Sequence, residues 1–281
     1  DKTASKTLNR ATDTTRQPGS TFKILAAYSA ALDAGGLTLA SVQDDAPYTY
    51  AGANGKSVNN YDRRYRGFTT LREAITDSIN IVTVKTLAQA GVSLGWQYVQ
   101  EYGFTTVDSR DMNEALALGG ITQGVSNLEL TAAYAAIANQ GTYIKPKFYT
   151  KILDHDGNVL IDNTTPESHT VIKDTTAWLL TSAMEDVMTS GTGTSAYFGS
   201  SMAQAGKSGT TTSSRDALFA GYTPYYTCAV WGGYDDNAMQ KGSDTNYPKR
   251  IWKAVMKRIH ENLAYKDFTK PSGIVAVAVC K

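Results

Sequence analysis

A serine and a lysine three residues apart, Ser20 and Lys23, open a helical pattern directly after the turn signal Pro18-Gly19. On one turn of helix both side chains rise from the same face. A serine hydroxyl becomes a nucleophile when a neighbouring base takes its proton. A lysine can be that base if burial or a second cation lowers its pKa. The start of the helix also directs backbone N–H groups towards an oxyanion forming at Ser20. Taken alone the pair is weak, because a serine at such a place ordinarily caps the helix.

Two further groups bear on the same chemistry. Ser78-Ile79-Asn80 lies between two helical patterns, where a second hydroxyl could shuttle a proton and an amide could hold a substrate amide. Alone, Asn80 reads equally well as a helix cap. Lys207-Ser208-Gly209-Thr210, followed by Thr211 and Thr212, sits on a strand-like stretch. Alternation puts Lys207 and Gly209 on one face and Ser208 and Thr210 on the other, and Gly209 permits close approach of another backbone. By itself this is also what a decorated edge strand looks like. The conjunction, in this order, is far more specific than any member: a serine-x-x-lysine, a serine-x-asparagine and a lysine-hydroxyl-glycine element together form an acyl-serine signature.

The elements that must hold these groups follow from periodicity. Helical spacing runs through Thr21–Asp33, Leu71–Thr76, Ile81–Ala90, Leu94–Tyr102 and Leu128–Asn139, so residues 24–140 form a largely helical block. Residues 41–68 show no sustained period and read as an ordered surface loop. Lys147–Asp154 and Asn158–Asp162 flank Asp156-Gly157 and predict a hairpin within 143–163. Thr175–Met188 returns to helix. Strand-like stretches follow at 203–212, 217–223 and 226–234, then a helix over Trp252–Leu263 and an apolar stretch at 274–280. The fold class is α+β, with an antiparallel sheet flanked by helices and an all-helical subdomain.

Composition sets the outer bounds. The chain has 281 residues, 42% hydrophobic and 19% charged, enough for one large domain. A net charge of +1 announces neither a nucleic-acid surface nor an acidic tail. No apolar run approaches the ~20 residues of a membrane helix, so any anchor belongs to a segment outside this chain. Cys228 and Cys280 sit in apolar strand-like runs without metal-ligand spacing and are expected to be free thiols. Nothing calls for a cofactor or a metal.

With these residues in view, Arg16-Gln17-Pro18-Gly19-Ser20-Thr21-Phe22-Lys23 resembles the first motif of the class A penicillin-binding proteins, the bifunctional peptidoglycan synthases. Asn9-Arg10-Ala11-Thr12, Ala117-Leu118-Gly119-Gly120, Val125–Asn139, Gly191-Thr192-Gly193 and Lys207–Pro224 are also similar to that class. The resemblance covers about 9–262. Three residues depart from the usual pattern: Ile24 in place of proline, Leu218 in place of tryptophan and Ser208 in place of threonine.

The resemblance implies a penicillin-binding, serine β-lactamase-like fold and a DD-transpeptidase that cross-links peptidoglycan stem peptides. It implies Ser20 as nucleophile, Lys23 as its base, Ser78 as proton relay and Lys207 as positive charge. Asn80, Ser208, Gly209, Thr210 and Thr212 would then line the substrate site, with the N–H groups of Ser20 and Thr210 as oxyanion hole. β-Lactams are the implied inhibitors, a glycosyltransferase domain of the parent chain the implied partner, and the extracytoplasmic face of the bacterial membrane the implied location. A serine β-lactamase, a D,D-carboxypeptidase and a non-catalytic β-lactam sensor remain alternatives. The first needs a second base, and Glu73, Glu114, Glu129 and Glu167 all lack an asparagine four residues on. Family members also place two edge strands before the first motif. Residues 1–19 are too polar and turn-rich to supply them. The expectation is therefore that the chain is a piece of a longer protein or that those strands belong to a separate piece, with the sheet edge at 226–234 covered by a separate peptide, by 274–280 folding back or by a neighbouring molecule.

Overall fold

The computed structural model describes residues 7–51, 55–240 and 245–279. From Gly19 to Asp33 the chain follows one continuous helical path that changes pitch twice. A 3-10 turn over Gly19–Thr21 gives way to a π turn over Ile24–Tyr28 and then to a short α segment, Ser29–Asp33. Every side chain from Phe22 to Ala31 is fully buried, and Lys23 and Ser29 are buried with the apolar ones. The widened turn begins just after Lys23. Its i→i+5 bond runs from the Ser29 N–H to the Ile24 carbonyl, which also accepts from the Ser29 hydroxyl at 2.9 Å.

Around this central helix lie helices Leu71–Thr76, Asn80–Ala90, Val92–Glu101, Asn127–Ala138 and Asp174–Thr189. Two of them start in capping boxes, Thr70 with Glu73 and Ser126 with Glu129, where each side chain satisfies the other's backbone N–H. The sheet is antiparallel and three-stranded, in the order Ala205–Thr210, Asp216–Tyr222, Thr227–Gly233. Lys207 lies opposite Ala220 and Gly209 opposite Leu218. One face, carrying Leu218, Ala220 and Tyr222, joins the main core with the helices. The other face carries Phe219 and packs on Trp252 and Met256 of the last helix, Tyr247–Ile259.

Several sequence expectations need correction. Residues 41–68 contain two short antiparallel ladders, Val42–Asp45 with Gly67–Thr70 and Tyr48–Thr49 with Ser57–Val58. The helical block is thus interrupted by strand pairs too short for a period to show. The hairpin is Lys151–Leu153 with Val159–Asp162, whereas Thr142–Ile144 pairs outside it, with Ser168–Thr170. The last helix begins at Tyr247, five residues before Trp252, because Pro248 sits in its first turn where no N–H is required. Residues 274–279 form no strand: apolar alternation makes a strand only where a partner edge accepts it.

Of residues 7–18, only Thr15–Arg16 forms a strand, paired with Val125–Ser126 rather than with the sheet. Among the described residues the sheet therefore ends at Thr227–Gly233. There the Arg16 guanidinium stacks 4.9 Å from the Trp231 ring and donates to the carbonyls of Tyr234 and Asp235. Cys228 is a free thiol, half-buried against the second core, and Cys280 lies outside the described residues.

Candidate active site

Ser20 sits in the 3-10 turn that opens the central helix, capped by no side chain. The turn is pressed between two backbones. Gly19 has φ +53, and a Cβ there would stand 3.1 Å from the Thr210 carbonyl oxygen. A Cβ on Gly209 would meet the Pro18 carbonyl oxygen at 2.8 Å, and one on Gly119 the Gly19 carbonyl oxygen at 2.6 Å. Only glycine at these contacts lets the strand and the 119 turn close on the serine. Inside the turn, Thr21 donates its hydroxyl to the Pro18 carbonyl at 2.7 Å, and Tyr134 donates to the Thr21 carbonyl at 2.7 Å.

One turn on, Lys23 is fully buried. Its Nζ donates to the Ser78 carbonyl at 2.6 Å, to Asn80 Oδ1 at 2.7 Å and to Ser78 Oγ at 3.1 Å. Ser78 reaches it because the link between the Leu71–Thr76 and Asn80–Ala90 helices takes a left-handed step, with Ser78 at φ 59. That conformation is uncommon for a residue with a Cβ. Lys207, also fully buried, arrives from the strand and donates to the same Ser78 Oγ at 2.9 Å. The structure thus brings Lys23, Ser78, Asn80 and Lys207 into one cluster, with Ser20 on the first turn beside it.

Electrostatics follow from this burial. Desolvation, and next the charge of Lys207, hold the Lys23 amine well below its ordinary lysine value of 10.5. Desolvation, with the charge of Lys249 behind it, pushes Lys207 down to about 7. Two buried amines with no carboxylate partner among the described residues are the arrangement that yields a neutral, basic lysine.

The other expected residues line the strand. Ser208 is half-buried and donates to Thr192 Oγ1 at 2.8 Å. Gly209 is buried against the serine turn and Thr210 is exposed at the strand's end. Thr212 lies beyond the strand, exposed in the 3-10 turn Thr212–Ser214. Asn80 uses both ends of its amide, since its Nδ2 donates to the Asn59 carbonyl at 2.7 Å. Sequence reasoning missed Lys249, whose Nζ donates to the Thr192 carbonyl at 2.9 Å. It also missed Asn59 and Asn60. Gly191-Thr192-Gly193 stood out in the sequence and places Thr192 here; nothing marked the other three.

Comparisons with known proteins identify the family and the fold. A family profile described as the penicillin binding protein transpeptidase domain matches residues 1–260. Penicillin-binding protein 1F of Bacillus subtilis is 38% identical over 278 residues, covering 96% of this chain and 37% of that protein. Penicillin-binding protein 1A of Clostridium botulinum is 34% identical over 275 residues, covering 94% of this chain and 33% of its own length. The chain spans about a third of these curated relatives. Among solved structures, penicillin-binding protein 1A from Haemophilus influenzae superposes with a TM-score of 0.84 at 28% identity, over 95% of this chain and 46% of that one. The PonA1 protein from Mycobacterium tuberculosis, solved in complex with penicillin V, shares the fold with a TM-score of 0.82 at 24% identity, over 96% of this chain and 76% of that one. The chain belongs to the penicillin-binding protein transpeptidase domain family.

Proposed function

We propose that this chain is a serine DD-transpeptidase domain that cross-links peptidoglycan stem peptides and is acylated by β-lactams. The observation that carries the reading is Ser78 Oγ held within hydrogen-bond reach of both buried lysines, at 3.1 Å from Lys23 and 2.9 Å from Lys207.

A neutral Lys23 keeps two N–H bonds for the fixed acceptors, the Ser78 carbonyl and Asn80 Oδ1. Its lone pair is then left for the hydroxyls of Ser78 and Ser20. Lys23 takes the Ser20 proton as Oγ attacks the carbonyl carbon between two D-alanines. The resulting oxyanion is held by the backbone N–H groups of Ser20 and Thr210. Lys207 donates to Ser78, so the Ser78 proton passes to the departing D-alanine nitrogen as the C–N bond breaks, and the proton held by Lys23 moves to Ser78 in its place. The acyl-ester on Ser20 is then attacked by an amine of a second strand, whose proton passes by way of Lys23 to Ser20 Oγ as the ester C–O bond breaks and the new amide forms. Ser208 and Thr210 hydroxyls hold the substrate carboxylate, with Gly209 and Thr212 flanking it and Asn80 facing the substrate amide.

A β-lactamase would need a second base at the ester. Glu73 and Glu129 are engaged in capping boxes, Glu114 accepts from Tyr48 and the Ala51 N–H, and Glu167 pairs with Lys145. These contacts favour the synthase reading. In the parent protein the domain works beside a glycosyltransferase domain at the extracytoplasmic membrane face, anchored by a segment outside this chain. Among the described residues no helix is long and apolar enough to cross a membrane.

Intact-mass measurement after incubation with penicillin tests the assignment. One lasting adduct is expected, mapping to Ser20 and absent from Ser20→Ala. An adduct retained on Ser78 or Ser208 overturns it.

A further inference from the structure

The Asn80–Ala90 helix starts without a cap of its own: its N-cap residue, Ile79, offers no side-chain acceptor. The first N–H groups of a helix need partners when buried. Here they find one twenty positions back in sequence, where Asn60 Oδ1 accepts from the N–H of Asn80 at 3.0 Å and of Ile81 at 3.2 Å. Asn60 is 2% exposed.

Its other end is fixed as firmly. Asn60 Nδ2 donates to both oxygens of Asp45, at 2.8 and 3.0 Å, and to the Arg64 carbonyl at 2.8 Å. Asp45 is a fully buried carboxylate that also accepts from the Arg66 N–H at 2.9 Å, with the Arg66 guanidinium 3.8 Å away. An acceptor-only carboxylate on one side allows the amide a single orientation, with its oxygen towards the helix. The neighbouring Asn59 carbonyl takes the Nδ2 of Asn80 and so turns Asn80 Oδ1 towards Lys23.

We propose that Asp45 and Asn60 are positioning residues for the acyl-transfer site. Through the helix start they hold Ser78 in its left-handed step and keep Ser78 and Asn80 against Lys23. Neither touches the reacting atoms. The segment that carries them lies outside all three motifs, and it builds a cap in trans where the local sequence supplies none. The inference rests on the acyl-transfer reading above.

The test is stopped-flow acylation of the full chain by a fluorescent penicillin, separating the saturating rate from the half-saturation concentration, with melting temperature recorded alongside. Asn60→Ala is expected to lower the saturating rate by about 10- to 100-fold, the scale of a misplaced catalytic group, while half-saturation moves less than about 3-fold. Asp45→Asn keeps volume and frees the Asn60 amide to flip, so it gives the same signature and serves if Asn60→Ala does not fold. Val58→Ala is the control, since it removes a buried side chain from the same loop and none of these hydrogen bonds. Wild-type saturating rates in folded Asn60→Ala or Asp45→Asn overturn the inference, as does an equal loss in Val58→Ala. If the parent chain forms no adduct beyond that of a Ser20→Ala blank, the transpeptidase reading itself has failed, a result distinct from both.

Discussion

Replacing Lys23 with arginine separates base from charge. Lys23 and Lys207 reach one oxygen, Ser78 Oγ, at 3.1 and 2.9 Å, so their nitrogens stand no more than about 6 Å apart. Two full charges at that distance repel by about 3 kcal/mol at an effective dielectric of ~20. Desolvation and the Lys207 charge depress the Lys23 pKa, and loss of the Lys23 proton relieves the repulsion. A guanidinium stays charged, its pKa lying above ~12. Lys23→Arg must therefore bear the repulsion or strip Lys207 of its proton, and it has no base in either case. The acylation rate at pH ~7.5 should fall by on the order of 10²–10⁴, within about tenfold of Lys23→Ala. A mass-spectrometric time course of penicillin adduct measures it. Arginine retaining more than about a tenth of the parent rate would refute the reasoning, and Lys23 would then act by its charge.

The two depressed lysines also set a pH profile. Acylation should rise as Lys23 loses its proton, well below the ordinary 10.5, and fall above about 7 as Lys207 loses its own. Lys207→Ala removes the alkaline fall and moves the acid limb to higher pH, because the neighbouring charge no longer pushes Lys23 down; an unmoved acid limb contradicts the coupling. Away from the cleft, burial, followed by the charges of Asp267 and Asp186, raises Glu185 from 4.5 to about 7. The folded chain then holds a proton that the unfolded chain releases, so stability falls as pH rises from about 4.5 to 7. Glu185→Gln should raise the melting temperature above pH 7 and flatten that window, and an unchanged slope rejects it.

What the sequence showed depended on how far each cause lies from its effect. The Asn80–Ala90 and Asn127–Ala138 helices are local patterns, and their expected bounds fall within one residue. The Ser20, Ser78 and Lys207 groups were visible because hydroxyl and amine types at fixed spacing have few other uses in combination. Asn60 was invisible, because its worth is decided by N–H groups at 80 and 81 and a carboxylate at 45. Lys249 reads as one more lysine on an amphipathic helix until the fold lays it against the Thr192 carbonyl. The left-handed step at Ser78 has no marker either, since glycine or asparagine would be the usual sign of one.

The close contacts around Gly19, Gly119 and Gly209 make the Ser20 turn and the Ala205–Thr210 strand one mechanical piece. The nearest neighbour at each of the three glycines is a backbone carbonyl oxygen, with the Thr21 methyl beside Gly209 and the Pro18 ring beside Gly119. Their spacing is gauged chiefly by the thickness of two polypeptide backbones. A methyl at any of the three contacts drives the parts apart at the carbonyl of its neighbour, whereas core changes elsewhere alter only how firmly the assembly is gripped. A shift of the strand then carries the Ser20 turn with it, and the strand runs on into the turn at 211–215, where Ser213 and Ser214 hold positive φ values of 61 and 51.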